Sequence, residues 1–293
     1  MMNKIGILTD SHSSITPEAA AQLGVSVLPM PFYVDGQCYY ENETLSRAQF
    51  FEYQRAGKSI TTSQPSPEAV TKLWDEALTR YNQILYFPIS SGLSGSYSTA
   101  CMLSQEHPYD GRVFVVDAGR VSTLMHQSIL DALELIEKGH SAAEIKDMIE
   151  SSRSQFCIYI AVDNLDSLRR GGRISPGLAA LGSLLGIKPV LQLTVGKLDL
   201  HQKVRGAKNA RKTMIAAIKN DLETRFRDAH EKGEVTLMIA TSADDELKAE
   251  WEAQLRESFP GMRILSDDLA FGICAHVGEG ALGVGLSCRP KHV

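Results

Sequence analysis

Long hydrophobic runs are missing from this chain, and so are paired cysteines, a basic surplus and the usual catalytic signatures. The longest apolar stretch, Leu178 to Ile187, is about half of what a membrane span requires. Five cysteines (Cys38, Cys101, Cys157, Cys274 and Cys288) are scattered, odd in number and never spaced C-x-x-C. That pattern suits reduced thiols better than a disulfide framework or a zinc site, and no metal or cofactor is expected. The formal net charge of −5 argues against general nucleic-acid binding. There is no His-x-x-x-His pair, no Gly-x-Gly-x-x-Gly behind a strand, and no Ser-His-Asp set recognisable by spacing. The chain opens straight into Lys4-Ile-Gly-Ile-Leu-Thr9 with no signal-peptide pattern, so a cytoplasmic protein is expected.

What remains is ordinary soluble composition: 293 residues, 43% hydrophobic and 22% charged, enough for two domains or one large one. The organising stretch runs from Gln83 to Ala100. Ile84 to Ile89 is a short apolar run of the kind covered on both faces of a sheet. It empties into Ser90-Ser91-Gly92-Leu93-Ser94-Gly95, and a helix is predicted from Ser96 to Leu103. Strand, Gly/Ser loop and helix start together present hydroxyls and backbone N–H groups at the carboxyl edge of a sheet, where anions and ligands sit in open α/β folds. The loop has neither the lysine of a phosphate-binding Walker pattern nor the order of a nucleophile elbow. It reads either as an anion cradle or as a turn that only caps its helix.

Around this stretch the chain reads as repeated strand–helix units. Lys4–Leu8 and Val25–Leu28 are predicted strands flanking a helix opened by Thr16-Pro17-Glu18, a parallel βαβ unit. Asp10, Ser11 and Ser13 fall at the same sheet edge, where an Asp is a ligand, a base or a loop tie. Pro29 to Tyr40 reads as a hairpin excursion around Asp35-Gly36. A helix follows near Ser46–Gln54, then a loop from Ile60 to Pro67 leads into a helix over Glu68–Thr79. Arg112–Val116 is a strand, Thr123–Lys138 a helix, Ser141–Glu144 a capping box, and Phe156–Val162 another strand. A domain boundary is placed at 163/164. Beyond it come an apolar helix from Pro176 through Leu181, Leu184 and Leu185, and a hairpin of Ile187–Thr194 and Lys197–Gln202 across Val195-Gly196. A basic helix follows with Lys208, Arg211 and Lys212. Strand Val235–Ala240, helix Asp244–Ser258, strand Met262–Leu265 and a Gly-rich end around His276 complete the chain. His276 is a structural hydrogen-bonder, a donor to a ligand carboxylate, or a base for a serine.

Several motifs in order carry a resemblance: Thr9-Asp10-Ser11, Thr62-Ser63-Gln64-Pro65-Ser66, Ser90 to Tyr97, Gly171-Gly172-Arg173-Ile174-Ser175, Ile187 to Leu191, Lys203-Val204-Arg205-Gly206 and His276 to Gly280. Together the chain resembles the DegV family of bacterial fatty-acid-binding proteins. That family includes FakB-like subunits that present a fatty acid to a kinase for conversion to acyl phosphate. The resemblance implies an α/β fold of two domains, an N-terminal Rossmann-like parallel-sheet domain (1–163) and a C-terminal α+β domain (164–293), with the ligand between them. It implies a long-chain fatty acid whose carboxylate is held by Thr62 and Ser94, with His276, Ser63 and Gly95 beside it. A fatty-acid kinase is the implied partner, met through Arg205 and Arg173, with transient membrane-surface contact and no nucleic acid. The chain departs from the family pattern after Asp117, where Leu124 and His126 replace small residues and bear on pocket shape, acyl-chain preference and ligand identity, and at Ser14-Ile15, which replaces the usual Asp-Leu. The rival reading is an enzyme acting on a small carbonyl or ester through Ser94 and His276.

Overall fold

The computed structural model describes residues 4–163, 165–179, 187–193 and 196–290. Among these, three sheets form. The first is parallel and four-stranded, built from β1 (Ile5–Asp10), β2 (Ser26–Leu28), β6 (Gln83–Phe87) and β7 (Val113–Val115) in the order β2-β1-β6-β7. The second is antiparallel and three-stranded: β3 (Pro31–Val34) lies between β4 (Gln37–Tyr40) and β5 (Ile60–Thr62). The third is mixed and six-stranded, from β8 (Phe156–Ala161), β9 (Ile187–Leu193), β10 (Asp199–Arg205), β11 (Val235–Thr241), β12 (Arg263–Asp268) and β13 (Leu282–Cys288). Its order is β10-β9-β8-β13-β11-β12.

Local chemistry explains many of the boundaries. Thr16, Ser46, Ser66 and Ser141 each accept the backbone N–H three residues on, and Ser46–Gln49 and Ser141–Glu144 complete reciprocal capping boxes. The expected hairpin is β3–β4, turned at Asp35 (φ 50°) and Gly36 (φ 85°), the positive angles that a two-residue hairpin turn requires.

The structure also corrects the sequence reading. Ile60–Thr62, expected within a loop, is strand β5 paired antiparallel with β3. Its partner lies far back in the chain, so no local periodicity announces it. Asp166–Gly171 is a helix with no side-chain cap to mark its start. The hairpin's second strand, expected to end at Gln202, runs on through Lys203–Arg205 to the start of the helix Ala207–Glu223. Strand β8 stands before position 163 yet pairs with β9 and β13 in the third sheet, so sheet membership changes between Val115 and Phe156. Leu181, Leu184, Leu185 and the hairpin turn at Val195 lie outside the described residues.

The helix Thr123–Glu137 joins the two large sheets. It packs on β1 and on β11, β12 and β13, with buried side chains from Thr123 through Ile129 and again at Asp131, Ala132 and Leu135. The three-stranded sheet and the helix Arg47–Arg55 lie over the helix Phe271–Val277, stacking Phe50 on Phe271 at 4.8 Å between ring centroids. Polar ties hold the same contact: Gln54 Nε2 donates to the Cys274 carbonyl (3.0 Å), and the Phe271 N–H donates to Glu41 Oε2 (3.0 Å).

Candidate ligand-binding site

Between these layers lies a cavity of about 120 Å³, measured at the centres of water-sized spheres. The inner face of the third sheet forms one wall. Met238, Gly285, Ile158 and Leu193 are register partners across β11, β13, β8 and β9, and Ala240, Gly283 and Ile160 form the next row. Gly283 and Gly285 keep β13 close to its neighbours: a Cβ at 283 would come within 2.8 Å of the Ala240 carbonyl oxygen, and one at 285 would overlap that of Cys157. The opposite wall brings Ile89 and Leu93 from the central loop, and Val121 and Leu124 from the start of the helix Thr123–Glu137. This wall is apolar nearly throughout.

One end of the cavity is polar. Thr62, at the end of β5, places Oγ1 2.9 Å from His276 Nε2. Ser94, Ser63, Gln64 and Arg173 stand on the same cavity wall. Burial first, then the Arg173 charge and His12, push the His276 ring down to about 4, so it is neutral at pH 7. Its remaining bond, to the Ser167 backbone, favours the protonated side of the ring and is therefore an N–H donation to the carbonyl. Nε2 is left to accept from the Thr62 hydroxyl. Arg173 donates through Nε to the Leu93 carbonyl (3.1 Å), which joins the Gly171–Ser175 motif to the central loop.

Ser94 Oγ pairs with Ser96 Oγ (2.9 Å) and accepts the Ser96 N–H (3.2 Å). It is thus both a cavity residue and a hydrogen-bonder at the start of the helix Ser96–Ser104. Among the described residues His276 Nε2 is bonded to Thr62, and Ser94 to Ser96. Asp10 is a loop tie: its carboxylate accepts from the His12 N–H (2.9 Å) and the Ile89 N–H (2.8 Å), locking the ends of β1 and β6 together.

Other expected positions separate. Thr62, Ser63, Ser94 and His276 share the cavity, while Gly95 abuts Gln64 Oε1 at its rim. Arg173, assigned from the sequence to a partner surface, is on the cavity wall; Arg205 is exposed on β10, away from it. Leu124 lines the cavity, whereas His126 turns to Asp267 (Nδ1 to Oδ2, 3.1 Å). Sequence reasoning missed His12, Gly272 and the glycines of β13 as cavity residues. The recurrence of Gly at 283 and 285 in an otherwise apolar run was the available signal for the last of these.

The described residues contain no helix long and apolar enough to cross a membrane and no cluster of His, Cys, Asp or Glu arranged for a metal ion. A family model for DegV matches residues 4–289. The chain belongs to the DegV family. A DegV domain-containing protein of Deinococcus radiodurans is 36% identical over 284 residues, covering 96% of this chain and 98% of its own length. Among solved structures, a DegV family protein from Thermus thermophilus described by its fatty acid binding superposes with a TM-score of 0.85 at 32% identity, covering 97% of this chain and 99% of that one. DegV from Bacillus subtilis, described as a fatty acid binding protein, gives 0.82 at 27% identity over 98% and 100% of the two chains.

Proposed function

We propose that this DegV protein binds a long-chain fatty acid, with the acyl chain in the apolar cavity and the carboxylate among Thr62, Ser94, His276 and Arg173, and hands it to a fatty-acid kinase for acyl-phosphate formation. The supporting observation is a cavity whose sheet wall is apolar and at one end of which Thr62 meets His276. Each methylene removed from water contributes about 0.8 kcal/mol, so a long acyl chain offers roughly 10 kcal/mol gross. The carboxylate needs several donors to stay ionised there. Ser94 and Arg173 supply them, and the Thr62 proton has two alternative acceptors, His276 Nε2 and the ligand. Phosphoryl transfer belongs to the partner, so no nucleophile is asked of this chain. Mass spectrometry of ligand extracted from the denatured, purified protein tests the reading. Repeated absence of acyl ligand, with no thermal stabilisation by added fatty acids, would overturn it. Thr62→Ala and Ser94→Ala should each weaken binding by about 1–3 kcal/mol while leaving a folded protein. Loss of ester turnover in Ser94→Ala with fatty-acid binding intact would instead establish the enzyme reading.

Partner contact is assigned to Arg205. It is exposed at the end of β10, which ends the third sheet among the described residues, and its planar fork suits a carboxylate or phosphoryl group. Arg205→Ala should keep fatty-acid affinity and lower acyl-phosphate formation when a cognate kinase and ATP are supplied. The association rate should also fall with added salt. Full turnover with unchanged salt dependence in the variant would remove Arg205 from the docking surface.

A further inference from the structure

The cavity has a second polar pole that the carboxylate site does not use. His12 lines it, with a side chain 9% exposed beside an Asp10 side chain that is 0% exposed. His12 Nδ1 is enclosed and has Asp10 Oδ1 at 3.2 Å, within ion-pair range though poorly aligned for a hydrogen bond. The other ring nitrogen, Nε2, lies against Gly272, itself a cavity residue, so closely that a Cβ at 272 would overlap it. Gly272 precedes His276 by one helical turn, so the two histidines serve neighbouring levels of one helix face. Ser122, whose Oγ pairs with Ser14 Oγ at 2.9 Å, is on the wall as well.

The two poles differ in the charge they accept. Arg173 stands by His276 and suits an anion. At His12 the nearest charge is the buried Asp10 carboxylate, which repels an anion; a neutral ring carrying its proton on Nδ1, the side facing Asp10, leaves Nε2 bare. Nε2 is then a lone-pair acceptor, and an ionised carboxylate has no hydrogen to give it. A neutral hydroxyl does. A buried polar atom facing an apolar ligand chain is also costly unless the ligand supplies a partner.

From this juxtaposition we propose that the cavity is adapted to an oxygenated acyl chain, a hydroxy fatty acid whose hydroxyl donates to His12 Nε2 while its carboxylate sits at Thr62, Ser94 and Arg173. The inference rests on the fatty-acid reading above and narrows its ligand class.

The test is competition binding on delipidated protein, using octadecanoic acid and a series of its positional hydroxy isomers. One isomer is expected to bind about tenfold more tightly than the parent acid. His12→Asn keeps an amide N–H toward Asp10 and removes the Nε2 pole; its ratio of hydroxy-acid to parent-acid affinity should fall to about one. His12→Gln reaches the Nε2 position with an amide and should keep part of the preference. A purely structural role for His12 would move both variants alike. The proposal is overturned if no isomer outbinds the parent acid in the wild type. It is overturned equally if the preference survives in His12→Asn, or if that variant weakens both ligands by the same factor. Failure of the wild type to bind any acid of the series would instead strike the fatty-acid reading itself.

Discussion

Replacing Glu41 with Gln is expected to stabilise the protein by about 3 kcal/mol at pH 8 and to change nothing below about pH 4. Glu41 sits where the three-stranded sheet meets the helix Phe271–Val277, and burial pushes its carboxyl up from 4.5 to about 7. The Phe271 N–H, His12 and Arg47 oppose that rise, and Asp268 adds to it. Between those values the folded protein holds a proton that the unfolded chain has released. Stability from this group is therefore full below pH 4.5 and is lost as pH rises through about 7. His276 runs the other way. Its folded value of about 4 lies below the ordinary 6.5, so the unfolded chain takes the extra proton and stability is lost as pH falls from 6.5 through 4. The two slopes offset between 4.5 and 6.5, which gives the wild type a plateau there with a decline on either side. Denaturant melts across pH should show Glu41→Gln rising from pH 4 to 6.5 and then flat, with His276→Gln falling from 4.5 to 7. A difference between wild type and Glu41→Gln that does not vary with pH would remove the proton linkage at this contact.

How far the sequence announces such features depends on how local their causes are. The caps at Ser46, Ser66 and Ser141 use atoms within three residues, and the strand–loop–helix from Gln83 onward carries its own punctuation, so both are legible. Strand β5 is three residues beside a proline-rich segment, and only pairing with β3 makes it a strand. Strand β13 is the stronger case. Its glycines lower strand propensity, yet they let it lie between β8 and β11 while leaving room on the cavity face. The site follows the same division. Thr62, Ser94 and His276 are recognisable as motif residues, and the structure brings them to one cavity. Arg173, which the family resemblance implies at a partner surface, is turned by the fold to the Leu93 carbonyl, a contact no local pattern announces. Glu41 and His12 carry no local signal at all, since their character comes from burial against distant segments.

The remaining large effect concerns Arg173. Of the cavity-wall residues among those described, it alone carries a permanent positive charge, and it stands beside a histidine that burial keeps neutral. A fatty-acid carboxylate at this end has no other full charge to meet. Arg173→Met should therefore weaken fatty-acid binding by about 2–3 kcal/mol, roughly thirty- to more than a hundredfold in Kd. Arg173→Lys should recover part of that loss, because it restores the charge without the planar fork that bonds Leu93. Arg173 also positions the central loop, so a loss of affinity alone would not separate charge from scaffolding. A fatty alcohol of the same chain length makes the separation. It fills the same apolar wall without a carboxylate, and its affinity should change little between wild type and Arg173→Met. With Arg173 gone, His276 loses a neighbour that holds its ring down, so its titration should move upward toward the ordinary histidine range. That shift is readable by NMR of the imidazole. Equal losses for the acid and the alcohol, with the His276 titration unmoved, would assign Arg173 to the scaffold and leave the carboxylate to the hydroxyls and loop amides.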